Sequence, residues 1–411
     1  MQDFTRFFRM NAEDARRYAV EVLHYFAPGE ETDCAEIGDG NINYVYRLTS
    51  RRDGRSLIVK QADRLLRSSG RPLDPDRSRI EAMALRIEGE LVPGFVPEVY
   101  HYDTVMAAIA MEDVSAYKNL RTELREDRVY SHLAENLSEF LAGTLLPTTD
   151  LVLDSAEKKR CVQRFINPEL CFITEDLVLS EPYLAIPFFE RNKNIITPGN
   201  EAYVAERLTG NRALHAQAAM LRVNFMNNAQ ALLHGDLHTG SVFANADGIR
   251  VLDPEFAFYG PMGYDIGNVI GNLLFAWGGK VFTRPEETAA AEALAATVAD
   301  TLDLTGKKLA EKYDALVTFP LYRGEEFKTA FLAGVMADAL GYAGTELIRR
   351  TVGDAKVEEV TAVPDPTRRI PMERVFIEMG IYLIMNREHI TAGREVTEEF
   401  CRLLSARGKE N

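Results

Sequence analysis

The spacing of hydrophobic positions changes character about a quarter of the way along this chain. Near the N-terminus, residues 11–26 repeat with helical spacing. Ala15, Tyr18, Ala19, Val22 and Phe26 share a face, Asn11 is placed to cap, and Asp14 follows three residues later. From residue 34 the period shortens to two. Residues 34–37 lead into Gly38-Asp39-Gly40-Asn41. Beyond it Ile42, Tyr44, Tyr46 and Leu48 alternate with Asn43, Val45 and Arg47, as in a half-buried strand. Arg52-Asp53-Gly54 marks a turn, and residues 57–61 read as the next strand. A helix over 77–88 puts Ile80, Met83, Ala84 and Ile87 on one side, and strands at 96–103 and 106–111 follow.

After Met111-Glu112-Asp113-Val114-Ser115 the pattern turns helical, over 130–146, 197–227 with a break at Gly210, 264–275, 285–302, 327–350, 372–387 and 397–404. Residues 353–367, with Pro364, Pro366 and several acids, read as a loop. The expectation is an α+β fold: an N-terminal lobe of antiparallel sheet and helix over 1–113, and a larger, mainly helical lobe over 114–411.

One segment of the helical half departs from this pattern. Residues 241–244 and 248–252 read as a short hairpin around Asp247-Gly248. Asp236 lies before its first strand, and Asp253 and Glu255 follow its second. Three carboxylates on one hairpin repel one another unless a cation or a proton joins them.

Composition narrows the chemistry. The chain has 411 residues, enough for two sizeable cores. A formal net charge of −15 disfavours a nucleic-acid backbone as partner. The four cysteines are scattered without a C-x-x-C pair, which suits free thiols in a reducing cytoplasm. The N-terminal residues lack the basic-then-apolar signature of a signal peptide, and no apolar run reads as a membrane span. A cytoplasmic protein without a membrane partner is expected.

His234-Gly235-Asp236 and Asp253-Pro254-Glu255 resemble the base-bearing and metal-binding segments of protein-kinase-like phosphotransferases. H-G-D with D-x-E is similar to the small-molecule branch, which includes aminoglycoside and choline kinases. Within that branch, H-G-D-L-H-T-G-S, D-P-E-F-A-F-Y-G-P and I-R-R-T-V-G resemble the family of kinases that phosphorylate 5-methylthioribose in methionine salvage. The resemblance implies a bilobal protein-kinase-like fold, ATP as co-substrate, Mg2+, a small sugar acceptor phosphorylated on its anomeric hydroxyl, and a homodimer.

Roles follow for individual residues. Asp236 would orient the attacking hydroxyl as catalytic base and contact the acceptor. Gly38, Gly40, Asn41 and Asn43 would form a phosphate loop, although Asn43 stands where kinases carry a third glycine. Lys60 would pair with phosphates, and Glu81, off the apolar stripe of its helix, could reach Lys60. The backbone around Glu112 and Val114 would meet adenine. Asp253 and Glu255 would hold the metal, with Glu255 replacing the asparagine ligand of kinases, because Ser241 occupies that position. Arg349 and Arg350 would hold ribose hydroxyls.

Plainer readings stand beside these. Asn43 could belong to an ordinary hairpin turn, Lys60 could be a solvated edge lysine, and Glu81 a surface charge. Asp236 could cap its own turn, and the arginines could merely complement a helix dipole. His234 would pack to hold its loop, His238 would line the site, and Asp265 would fix the loop or cap a helix. Rival functions are a kinase of the same fold acting on choline, an aminoglycoside or homoserine, a nucleotide-binding protein without catalysis, and a metal hydrolase built on H-x-D-x-H.

Overall fold

The computed structural model describes residues 3–37, 43–65, 72–185 and 192–407. The chain divides into two compact units, Met1–Tyr117 with Arg250–Ala257, and Lys118–Ile249 with Phe258–Asn411. The sequence suggested a single division at Asp113. The boundary lies four residues later, and the turn carrying Asp253 and Glu255 belongs with the first unit. Local bonds explain this: Val251 N–H donates to Phe95 O at 2.7 Å, and the Arg250 guanidinium lies 4.6 Å over the Tyr117 ring.

In the first unit, α1 (Ala12–Glu21) begins as expected. The Asn11 side chain accepts from the Glu13 and Asp14 N–H groups, and Asp14 bonds back to Asn11 N–H. The helix stops at Glu21, short of residue 26, where the chain passes through a left-handed His24 (φ 50°). Next come β1 (Thr32–Ile37), β2 (Tyr44–Ser50), β3 (Ser56–Gln61), α2 (Arg77–Leu91), β4 (Val99–Asp103) and β5 (Ala108–Met111). The five strands form one antiparallel sheet in the order β1-β2-β3-β5-β4. Leu57 and Val59 of β3 join Tyr18, Phe26, Tyr46 and Leu48 in the core against α1. Successive side chains alternate across a strand, so Lys60 points to the opposite face.

The second unit begins with β6 (Lys118–Asn119), α3 (Leu120–Arg125), α4 (Leu133–Leu145), α5 (Ser155–Arg164), α6 (Pro168–Leu177), α7 (Glu201–Val204) and α8 (Arg212–Asn227). Strands β7 (Ala231–Leu233), β8 (Val242–Asn245) and β10 (Phe258–Gly260) follow, and β9 (Gly248–Val251) begins in this unit and passes into the first at Arg250. It ends with α9 (Gly263–Thr283), α10 (Thr288–Leu316), α11 (Glu325–Val352), α12 (Glu358–Thr361), α13 (Pro366–Asn386) and α14 (Gly393–Arg407). β8 and β9 form the expected hairpin, with β6 alongside β8, and β10 pairs with β7.

Helix α5 escaped the sequence reading because Lys158 is its one buried residue, leaving no apolar stripe to see. The predicted loop at 353–367 contains α12 and the start of α13, whose Pro366 sits in the first turn, where a missing N–H costs nothing.

A glycine row brings α9 and α11 close together. Gly263, Gly267 and Gly271 are four residues apart and share one face. A Cβ on Gly267 would lie 2.5 Å from Ala339 O and 2.6 Å from Ala343 N. Gly344 repeats the device toward α13, where a Cβ would meet Gly380 O at 2.5 Å. Among the described residues α11 is the one helix long and apolar enough to cross a membrane, and it is mostly buried in this unit against α9 and α13.

Candidate functional site

Lys60 occupies β3, in the middle of the sheet between β2 and β5, so the edge-lysine reading does not apply. Its ammonium is buried and donates to Glu81 Oε1 at 2.7 Å and to Asp253 Oδ1 at 2.6 Å. Glu81 is therefore no surface charge; it is 1% exposed. Burial works against the charge on Lys60. The carboxylates of Asp253, Glu81 and Glu255 outweigh it and hold the pKa above its ordinary value. Burial pushes the Glu81 carboxyl up to about 7, with the charges of Asp253 and Glu255 adding to the rise and Lys60 opposing it.

Asp253 adopts a left-handed backbone (φ 65°, ψ 44°), uncommon for a residue other than glycine, just before the Pro254–Phe256 turn. Its side chain is half-exposed. Glu255, two residues on, is buried, and its Oε2 accepts from Asn43 Nδ2 at 3.1 Å and lies 3.3 Å from Arg77 Nε. Arg77 Nη2 donates to Asn43 Oδ1 at 2.9 Å. Asn43 thus bridges an arginine and a carboxylate with its side chain, leaving its backbone as the part able to meet a phosphate. Burial lowers the Arg77 pKa, with Glu255 working against that shift.

Gly38, Gly40 and Asn41 lie outside the described residues. Glu112 N–H is committed to Glu98 O at 2.9 Å, so an adenine edge could use the Glu112 carbonyl. Asp113 anchors this stretch by accepting from Arg47 Nε at 2.6 Å and from Ser115 N–H at 2.9 Å, and Val114 is buried.

In the second unit, the loop between β7 and β8 carries Asp236. Asp265, in the first turn of α9, accepts from His234 N–H at 2.6 Å and Gly235 N–H at 3.0 Å. It therefore fixes the loop; the helix cap position is Met262, without a side-chain bond. Gly235 takes φ 84°, which a side chain would strain. His234 is buried, with its Nδ1 accepting from Asp236 N–H at 3.3 Å. Ser241 turns its hydroxyl inward to Asp236 O at 3.0 Å, away from a ligand role.

The Asp236 carboxylate faces an imidazole on one side and two guanidinium groups on the other. His238 Nε2 is 3.5 Å from Oδ2, and Arg350 Nη2 and Arg349 Nη2 are 3.7 and 3.9 Å from Oδ1. Partial burial would raise its pKa, but His238, Arg350 and Arg349 hold it well below the usual carboxylate range. The two arginines end α11, so the helix dipole and the carboxylate favour them together. The carboxylate is ionised near neutrality, as a side chain that takes up a hydroxyl proton must be.

Two donor sets thus stand in the structure, each inside its own unit: Lys60, Glu81, Asp253 and Glu255 in one, Asp236, Arg349 and Arg350 in the other. Asp253 and Glu255 offer hard oxygen donors of the kind that would suit a divalent cation such as magnesium. Among the described residues no three His, Cys, Asp or Glu side chains converge as a metal-binding set. Sequence reading missed Arg77 and Glu346. Glu346 had a visible signal: it precedes Arg349 and Arg350 by three and four residues, the spacing of helical ion pairs.

Residues 33–303 match the family model described as "Phosphotransferase enzyme family". The chain is similar to methylthioribose kinase of Geobacillus sp. (strain WCH70), at 37% identity covering 93% of this chain and 94% of that protein. It is 38% identical to methylthioribose kinase of Bacillus velezensis (strain DSM 23117 / BGSC 10A6 / LMG 26770 / FZB42), covering 95% of this chain and 96% of the relative. A crystal structure of choline kinase from Cryptosporidium parvum Iowa II aligns over 96% of this chain and 97% of its own, with a TM-score of 0.47 and 12% identity.

Proposed function

The chain belongs to the phosphotransferase enzyme family and within it to the methylthioribose kinases, and we propose that it transfers the γ-phosphate of ATP to the anomeric hydroxyl of 5-methylthioribose, giving the 1-phosphate in methionine salvage. The observation that carries the reading is the Asp236 carboxylate set against two arginines, at 3.9 and 3.7 Å. Asp236 accepts a hydrogen bond from the attacking hydroxyl and takes up its proton as the new O–P bond forms and the bond from the γ-phosphorus to the β-phosphate oxygen breaks, releasing ADP. Phosphoryl transfer has a loose transition state, so orientation and charge neutralisation matter more than base strength. Arg349 and Arg350 bind ribose hydroxyls and offset charge on the phosphoryl group. Their positive charge disfavours a cationic acceptor such as choline.

Lys60, held by Glu81, contacts the α- and β-phosphates. The glycine-rich segment with Gly38, Gly40, Asn41 and Asn43 covers them through its backbone, and Glu112 and Val114 offer backbone groups to adenine. Asp253 and Glu255 would hold magnesium, which when bound neutralises phosphate charge. The hard oxygen donors and the arginine and asparagine that fix Glu255 support this fit. Free cysteines at 34, 161, 171 and 401 support a reducing, cytoplasmic setting. A homodimer is the assembly the family resemblance supports.

The test is a product assay with ATP and magnesium against 5-methylthioribose, choline, an aminoglycoside and homoserine in parallel. A 1-phosphate formed from 5-methylthioribose, with turnover lost in EDTA, is the expected result. Faster phosphorylation of any other alcohol would overturn the assignment.

A further inference from the structure

Arg349 and Arg350 are consecutive, yet both present their outer nitrogens to one oxygen of Asp236. Adjacent residues on a helix point about 100° apart, and two guanidinium groups repel. Something must draw both heads together. Glu346, one turn earlier on α11, does so with one carboxylate. Its Oε2 accepts from Arg349 Nε at 2.6 Å, and its Oε1 accepts from Arg350 Nε at 3.0 Å. Each arginine is thereby gripped by its inner nitrogen, and its outer nitrogens face Asp236.

Glu346 is itself braced from behind. It is 1% exposed and packs on Gly271 of α9, where a Cβ would come within 3.2 Å of its Cβ and Cγ. Asn272 Nδ2 donates to Oε1 at 3.1 Å, and Asn272 Oδ1 accepts from Arg121 Nη2 at 3.2 Å. Arg121 on α3 also reaches the Asp236 loop, with its N–H to Thr239 O at 3.1 Å and Nε to Thr239 Oγ1 at 3.3 Å. One chain of bonds thus links the loop of Asp236 to the bracing of the arginine pair.

We propose that Glu346, backed by Asn272, is a positioning residue that presents Arg349 and Arg350 as a preformed pair to the acceptor and the phosphoryl group. This inference rests on the acceptor role given above to the two arginines. Glu346 touches no reacting atom. It balances two partly buried positive charges with one carboxylate, so that Asp236 supplies the other.

A double-mutant cycle tests it. Glu346→Gln keeps the shape and removes the charge. With the alcohol that wild type phosphorylates, kcat/KM for that acceptor should fall about 100-fold, with acceptor KM raised and KM for ATP within about twofold. In a background carrying both Arg349→Met and Arg350→Met the same change should cost less than about threefold, because both partners it positions are gone. If Glu346→Gln does not fold, as judged by circular dichroism, Asn272→Ala replaces it in the cycle, with an expected loss of about 3–10-fold. Equal losses in both backgrounds, or a parallel rise in KM for ATP, would overturn the proposal. Should wild type prefer another alcohol to 5-methylthioribose, the functional reading fails, and the cycle run on that alcohol still decides the role of Glu346.

Discussion

Lys60 Nζ donates to Asp253 Oδ1 at 2.6 Å, across 193 residues of sequence. The same ammonium serves Glu81, so the lysine is held between a helix and the turn after β9. A buried ammonium so held is a fixed cation, already desolvated and aimed.

Replacing it tests its task. Lys60→Met should lower kcat/KM for ATP by at least about 100-fold, since a preorganised charge on the phosphates is lost. Acceptor affinity should change little. ATP and acceptor titrations on the purified variant separate the two, and an equal loss for both would assign Lys60 a folding role.

Asp236→Asn should reduce kcat by about 10²–10⁴-fold while ATP still binds within about twofold of wild type. Calorimetric titration with a non-hydrolysable ATP analogue measures the binding side. Retention of most turnover would remove Asp236 from the proton-accepting role.

Arg349→Lys and Arg350→Lys keep the charge and lose the planar fork. Each should raise acceptor KM by about tenfold or more, without a comparable change for ATP. Initial-rate kinetics at saturating ATP give the answer, and full activity in both lysine variants would mean that charge alone suffices.

Gly235→Ala places a side chain at φ 84°, in a peptide whose N–H is bound to Asp265. The strain costs about 1–2 kcal/mol. Chemical denaturation should register a loss of that size, and turnover should fall further because Asp236 is the next residue. An unchanged midpoint would show that the loop relaxes.

Glu346 is pushed down to about 2 from its ordinary 4.5; burial opposes the shift, and Arg349 and Arg350 outweigh it. Its folded pKa lies below its unfolded one. The stabilisation is therefore complete above the unfolded value and disappears as the pH falls toward the folded one, with a size on the order of 3 kcal/mol. Urea unfolding of wild type should weaken over that acid window, and Glu346→Gln should flatten the dependence. Parallel curves would contradict it.

Much of the chain was legible without coordinates. Alternation around β2 and β3, the capped start of α1 and the hairpin around Asp247-Gly248 are local patterns, set by neighbours a few residues apart. The H-G-D and D-P-E segments announced phosphotransfer chemistry for the same reason: their residues are contiguous. Helix ends were less legible, because α1 stops at a backbone reversal and α5 lacks an apolar face. Tertiary structure alone decided that residues 250–257 pack with the first unit, that Glu255 lies against Arg77 and Asn43, and that neighbouring groups hold Asp236 below its ordinary carboxylate range in spite of burial. Each of these depends on charges and donors brought together from distant positions. Their energies depend on burial and distance in space, which no local spacing along the chain encodes.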